Sequence, residues 1–286
     1  MGFIATIGFF DGVHVGHRYV IRELCAEAEH RGMQAMVISF SCHPRQLLSP
    51  DMPVTLLTTT VERETMLREC GVHKVEMLRF EDVRKMTAEQ FMQYIHEQFN
   101  VDALLMGYDQ RFGSDMPATA DDYKSMAARV GLEIVQLTEC DDVNTHVSST
   151  VIRRMLLKGK VTDANRLLGY EYSLSGKVVH GRQLGRQIGF PTANIEVEGD
   201  KLIPMDGVYA VGVCMQGKLA KGILNIGNNP TINAEKRTLE VHIVDYDGEL
   251  YEQQLTVSFR RFIREERSFR SIEDLRKQIA ADVSGM

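Results

Sequence analysis

The first half of the chain alternates short apolar runs with longer amphipathic stretches. Phe3–Ile7, Ala35–Phe40, Lys74–Leu78, Ala103–Met106 and Glu133–Leu137 read as strands. Between them, Tyr19–Arg31, Thr60–Cys70, Thr87–Phe99 and Asp121–Val130 read as helices. In the first of these, Val20, Ile21, Leu24 and Ala28 share one side. Strands separated by helices imply βαβ units and a parallel sheet, which binds ligands beyond the carboxyl ends of its strands.

The pattern changes after Val151–Leu157, a short helix closed by Gly159. Ser173–Val179, Val208–Met215, Ala220–Ile226, Arg237–Tyr246 and Leu250–Phe259 are strand-like, separated by Gly, Asn or Asp turns. Tyr246-Asp247-Gly248 predicts a hairpin between the last two. Five or six short strands imply a small antiparallel barrel. A final helix over Ile272–Val283, with Ser271 as N-cap, places Ile272, Leu275, Ile279 and Val283 on its buried face. The expected organisation is an α/β domain over 1–158, a linker over 159–172 and a β domain with a terminal helix over 173–286.

A length of 286 residues allows two cores, and 44% hydrophobic with 25% charged residues argues against wholesale disorder. A net charge of -6 argues against a nucleic-acid surface. No apolar run approaches the ~18 residues of a membrane span. Met1–Thr6 fits a loose myristoylation pattern, but Phe3–Phe10 reads better as a strand feeding a loop. The five cysteines are scattered without a C-x-x-C pair, which points to reduced thiols in a cytoplasmic protein.

Candidate chemistry lies at the element junctions. Ile7-Gly8-Phe9-Phe10-Asp11-Gly12-Val13-His14-Val15-Gly16-His17 runs from a strand into a helix. Its glycines permit close approach to a ligand, and a helix N-terminus presents free N–H groups to phosphate. His14 and His17 then add side-chain donors. At the far end of the same half, Val147-Ser148-Ser149-Thr150-Val151-Ile152-Arg153 offers capping hydroxyls and an arginine one turn in, suited to a second phosphate site. Read alone, that segment is an ordinary capped surface helix.

In the second half, Gly181-Arg182-Gln183-Leu184-Gly185-Arg186-Gln187-Ile188-Gly189 is a basic glycine-rich loop before Phe190-Pro191-Thr192-Ala193-Asn194. Thr192 and Asn194, two residues apart in an extended segment, can face one side as hard oxygen donors for Mg²⁺. Alternation puts Glu240 and His242 on the face opposite Leu239, Val241 and Ile243. Gly212-Val213-Cys214-Met215-Gln216-Gly217-Lys218-Leu219 nearly matches a P-loop, but it lacks the final Ser/Thr and joins two strands, so it reads as a hairpin turn.

These segments together make the sequence recognisable. G-F-F-D-G-V-H-V-G-H with V-S-S-T-V-I-R resembles the adenylyltransferases that carry an H-x-G-H signature. Ser39-Phe40-Ser41-Cys42-His43-Pro44-Arg45 and Met106-Gly107-Tyr108-Asp109-Gln110-Arg111-Phe112-Gly113 narrow the likeness to bacterial bifunctional riboflavin kinase/FAD synthetase, with Gln110 where an aromatic is usual. P-T-A-N, Gly207-Val208-Tyr209, Asn225-Ile226-Gly227-Asn228-Asn229-Pro230-Thr231 and L-E-V-H resemble, in order, the riboflavin kinase domain.

The resemblance implies a Rossmann-like nucleotidyltransferase domain followed by a riboflavin kinase barrel. It also implies ATP as co-substrate, Mg²⁺, and riboflavin, FMN, FAD and ADP as the other small-molecule partners. His14 and His17 would stabilise the α-phosphate and the departing pyrophosphate. Gly8, Phe10, Asp11, Gly16, Asp109, Ser148, Ser149, Thr150 and Arg153 would bind ATP there. Gly181, Arg182, Gly185, Gly189, Pro191, Thr192 and Asn194 would bind the kinase ATP, with Thr192 and Asn194 at Mg²⁺. Glu240 would be the base toward the ribityl hydroxyl, and Arg264 and Phe269 candidate flavin contacts. The H-x-G-H signature alone leaves open another acceptor, such as a nicotinamide or pantetheine phosphate. A catalytically silent flavin sensor is a third reading, against which Glu240, His14 and His17 all stand.

Overall fold

Phe3–Ile7 (β1) is apolar at every position but Thr6 and is buried from Ile4 onward, as a strand covered on both faces must be. The computed structural model describes residues 2–48, 54–107, 110–137, 147–181, 185, 188–197, 199–228 and 237–286. Val15–Arg31 (α1), Gln34–Phe40 (β2), Pro44–Leu48 (α2), Thr60–Glu69 (α3), Lys74–Leu78 (β3) and Phe80–Val83 (α4) follow β1. Ala88–Phe99 (α5), Val101–Met106 (β4), Ala120–Val130 (α6) and Glu133–Gln136 (β5) complete the first half. The strands pair in parallel in the order β3-β2-β1-β4-β5.

Alternate strand residues feed two cores. Ala5, Ile7, Met36, Ile38 and Leu104 face one, against Phe91, Ile95 and Tyr123 of α5 and α6. Ile4, Ala35, Val37 and Leu105 face the other, against Ile21, Leu24 and Leu67 of α1 and α3. Three of the helices start with a capping box. Thr59, Thr87 and Thr119 each accept from the amide three residues on, whose own side chain reaches back. Because β1 lies between β2 and β4, the strand order reverses there, and a crevice opens at the carboxyl ends of β1 and β4.

The second half contains Ser149–Leu156 (α7), Val161–Leu168 (α8), Ser173–Val179 (β6), Thr192–Glu196 (β7), Gly207–Met215 (β8) and Lys218–Asn228 (β9). Arg237–Ile243 (β10), Gln254–Arg264 (β11) and Ile272–Ser284 (α9) end the chain. Six antiparallel strands close a barrel in the order β10-β7-β6-β11-β8-β9. The fold is therefore a parallel α/β sheet followed by a closed antiparallel barrel and a terminal helix.

The chain packs as two compact units, Met1–Ser148 and Ser149–Met286. Helices α7 and α8 thus pack with the barrel. Asn165 of α8 donates to the Phe259 carbonyl at 2.7 Å and accepts from the Tyr172 amide at 2.8 Å.

Three sequence expectations change. The hairpin predicted at Tyr246-Asp247-Gly248 does not form, because β10 gives both edges to β7 and β9 while β11 pairs with β6 and β8. The connection between them instead turns at Asp245 and Glu252, both at positive φ. Helix α8 falls in the stretch expected to be a linker. Ser271 does cap α9, accepting from the Asp274 amide at 3.1 Å, but Ile272 is 64% exposed and the buried residue is Asp282. That helix covers a cavity rather than an apolar core, so its inner face carries a charge. The near P-loop is the two-residue turn Gln216-Gly217 of the β8–β9 hairpin, with Met215 opposite Lys218.

Candidate active sites

In the sheet unit, the loop from β1 to α1 is wound tightly. Phe10, Gly12 and Val13 have φ of 55°, 80° and 34°, and a branched residue such as Val13 rarely adopts that backbone. Asp11 holds the loop in place. Its buried carboxylate accepts from the Leu57 and Thr58 amides at 3.0 Å, while the Gly12 amide donates to the Thr58 hydroxyl at 3.1 Å. Behind the loop, the fully buried Arg63 lies 4.0 Å from the centre of the Phe9 ring and donates to the Phe40 carbonyl at 2.6 Å. Burial lowers its pKa, partly offset by the Asp11 charge.

This scaffold stacks the two histidines. Their ring centroids are 3.5 Å apart and the planes 19° from parallel. His14 is the N-cap of α1, and its Nδ1 accepts from the His17 amide at 3.3 Å. A nitrogen that accepts carries no proton, so the neutral His14 ring keeps its proton on Nε2. Burial, and then the neighbouring His14, hold the His17 pKa well below the ordinary histidine value. A side chain on Gly16 would crowd the His14 ring at 3.3 Å, and one on Gly8 would meet the Phe10 ring at 2.8 Å.

Two cavities open at this edge of the sheet. One, of about 660 Å³, is lined by Phe9, Phe40, Phe80, Phe91 and Phe112 among others. The other, of about 360 Å³, is lined by Gly107, Thr119, Tyr123 and Gln136. Ser149, Thr150 and Arg153 occupy the first turns of α7, in the other compact unit. Asp109 lies outside the described residues.

In the barrel, strand register assembles the site. Glu240 of β10 stands opposite Asn194 of β7 on one side and Asn225 of β9 on the other, and His242 stands opposite Thr192. Opposed residues share a face. Glu240, Thr192, Asn225 and His242 line a cavity of about 310 Å³ with Arg264 and Phe269. His242 Nδ1 bonds the Pro191 carbonyl at 2.9 Å, tying the two strands at this point. Thr192 and Pro191 also line a second cavity of about 260 Å³ with Tyr246, Asp247 and Tyr251.

Register shifts in β11 at Phe259/Arg261 and Phe262/Arg264 re-aim the strand end toward the first cavity. There Arg264 Nε and Nη2 reach Asp282 Oδ2 at 3.1 and 2.8 Å, and its guanidinium sits 5.7 Å from the Phe269 ring centre. Side chains at Gly181 and Gly185 would collide with Asn194 and with the Phe190 carbonyl, at 2.0 and 2.3 Å. Gly181 and Gly185 thus lie close against the Phe190–Asn194 segment. Arg182 lies outside the described residues, and Gly189 turns at φ 84°.

The chain matches the FAD synthetase family model over residues 1–151 and the riboflavin kinase model over residues 168–286. It is 36% identical over 284 residues to the bifunctional riboflavin kinase/FMN adenylyltransferase of Escherichia coli K12, covering 98% of this chain and 90% of that one. The chain belongs to this bifunctional family. The Bacillus subtilis family member is 33% identical over 288 residues, with 98% and 90% covered. A solved structure from Streptococcus pneumoniae, described as a macrolide-efflux protein, superposes with a TM-score of 0.89 at 32% identity, covering 99% of this chain and 93% of that one. Among the described residues here, no helix is long and apolar enough to cross a membrane.

The barrel of this family member gathers Glu240, Thr192, Arg264 and Phe269 around one cavity, although 77 residues of sequence separate Thr192 from Phe269. Sequence reasoning missed the apolar chamber of the sheet unit, because its aromatics come from five separate segments. It also missed Asn225 beside Glu240 and the buried cation Arg63. Asn225 lay in a quoted motif without a role. Arg63 looked like any charged helix residue.

Proposed function

We propose that riboflavin is phosphorylated in the barrel cavity and FMN adenylylated at the carboxyl edge of the parallel sheet. The observation that carries this reading is the registered row Asn194–Glu240–Asn225, which sets one carboxylate between two amides, with Glu240 and Asn225 lining the cavity. Such a carboxylate can take the proton of the ribityl 5′-hydroxyl while the hydroxyl oxygen attacks the γ-phosphorus of ATP and ADP departs. Riboflavin occupies the cavity of Arg264 and Phe269, and ATP the neighbouring cavity of Pro191 and Tyr246. Thr192, which lines both, stands between the reacting ends.

Mg²⁺ suits this donor set. Among the described residues, no cluster of three or more His, Cys, Asp or Glu could hold a metal. Thr192 and Asn194 supply two neutral oxygens instead, and Mg²⁺ commonly takes its remaining ligands from phosphate and water. Bound there, it would neutralise phosphate charge.

In the sheet unit, an FMN phosphate oxygen attacks the α-phosphorus of ATP and pyrophosphate leaves. His14 Nε2–H and His17 donate to the charge that develops, while the tight loop brings backbone N–H groups close. Arg153, with Ser148, Ser149 and Thr150, is assigned to the β- and γ-phosphates on its motif. The apolar chamber of Phe9, Phe40 and Phe112 suits a tricyclic flavin ring. The cytoplasmic setting is part of the proposal, supported by Cys25, Cys42, Cys70 and Cys214 being free thiols.

Labelled riboflavin incubated with the chain, ATP and Mg²⁺, then separated by chromatography, tests both steps. FMN should appear first and FAD after it. Label that stops at FMN would overturn the sheet assignment, and label that stays in riboflavin would overturn the barrel assignment.

A further inference from the structure

The two cavities at the carboxyl edge of the sheet share two of the described residues, Gln110 and Arg111. Arg111 is exposed at the rim, whereas Gln110 is half-buried. Both ends of its amide are fastened. Oε1 accepts from the Gly107 amide at 3.0 Å, just past β4, and Nε2 donates to the Ile7 carbonyl at 2.5 Å, at the end of β1. An N–H can only donate and a carbonyl only accept, so this pair of bonds fixes the orientation of the amide. Gln110 therefore bridges the crevice where the strand order reverses, with an aromatic chamber on one side and a more polar one on the other.

We propose that Gln110 is a positioning residue that partitions this cleft, holding the flavin ring in the aromatic chamber and the adenine nucleotide in the other. This rests on the assignment of adenylyl transfer to the sheet unit. FMN and ATP both present a phosphate to the same histidines, so charge does not tell them apart. Discrimination must come from where each ring is allowed to lie. A side chain pinned at both ends blocks a ring from straddling the chambers at little entropic cost. A free side chain would first have to be ordered.

The test uses the full chain, measuring FAD formation from FMN and ATP over a wide FMN range. Riboflavin phosphorylation serves as the internal control. Gln110→Ala opens one chamber into the other. FMN should then inhibit competitively with ATP, at concentrations about tenfold lower than in the unsubstituted protein. Gln110→Glu keeps the shape but sets a carboxylate oxygen against the Ile7 carbonyl, so it should shift inhibition the same way. It also serves if the alanine variant does not fold. A residue that only stitches the strand ends would lower thermal stability and leave the inhibition pattern alone. FMN inhibition and both KM values within about twofold of the unsubstituted protein, in either folded variant, would overturn the proposal. If the unsubstituted chain makes no FAD from FMN, the assignment of the sheet site fails first and the partition with it.

Discussion

The two halves build their sites by opposite means. The sheet unit uses a strained loop, in which Phe10 and Val13 at positive φ are pinned by the Asp11 carboxylate and two histidines are stacked. The barrel uses strand register, which places Glu240 between two asparagines and Thr192 beside His242. A loop site can be disturbed locally, because its geometry depends on a few contacts. A register site is shared by whole strands, so a one-residue slip of β10 would turn Glu240 and His242 away from the cavity together. Both units nevertheless set a polar side chain between two cavities, the half-buried Gln110 beside Arg111 in one and Thr192 in the other.

Crossed variants should separate the two halves most strongly. Glu240→Gln keeps the size of the side chain and removes the base, so riboflavin phosphorylation should fall by about 10²-fold or more, with FAD formation from FMN retained. His14→Ala combined with His17→Ala should do the opposite, losing about 10²-fold or more in adenylylation while FMN accumulates from riboflavin. Chromatography of the flavins reports both, with thermal unfolding as the check on folding. Normal FMN production by Glu240→Gln would show that the barrel's base lies elsewhere.

Arg153 tests whether structural unit and chemistry coincide. It sits on α7, which packs with α8, yet its motif is assigned to the adenylylation reaction. Arg153→Ala should raise the KM for ATP in that reaction alone, since losing a charge-assisted phosphate contact costs about 1.5–3 kcal/mol, or roughly tenfold to a hundredfold. Equal losses in both reactions would point to a packing role for the residue.

Truncation sharpens the boundary. A fragment of residues 149–286 should fold and phosphorylate riboflavin. One beginning at Tyr170 should do so with a lower melting temperature, because it loses the buried Ile152, Leu156, Ala164 and Leu168 and the Asn165 bonds to Phe259 of β11 and to Tyr172. Equal melting temperatures would mean that α7 and α8 add nothing to the barrel.

The smallest effect is electrostatic. His17 has a folded-state pKa below its unfolded value, so the unfolded chain binds more protons in the window just below the ordinary histidine value. Its contribution to stability is therefore present at neutral pH and lost as pH falls through that window. His17→Gln should flatten this acid-side decline in melting temperature between about pH 7 and 5. An unchanged slope would show that other groups account for it.

Apolar periodicity by itself determined the parallel and barrel halves and most strand and helix limits, because burial on one or both faces leaves a period in the chain. The Ser271 cap before α9 was equally local. The motifs around His14, Thr192 and Glu240 were legible because each is continuous in sequence. The partners of β10 and β11 were not. Two alternating strands beside a turn look like a hairpin, and only closure of the barrel gave their edges to β7, β9, β6 and β8. The inner face of α9 was misread for a related reason, since the buried Asp282 is paired with Arg264, which arrives from a shifted strand end, and bonded by Gln278. The roles of Gln110 and Arg63 come from contacts 103 and 23 residues distant, with the carbonyls of Ile7 and Phe40. No local pattern records such contacts, because the free energy of a polar group depends on what the fold brings against it.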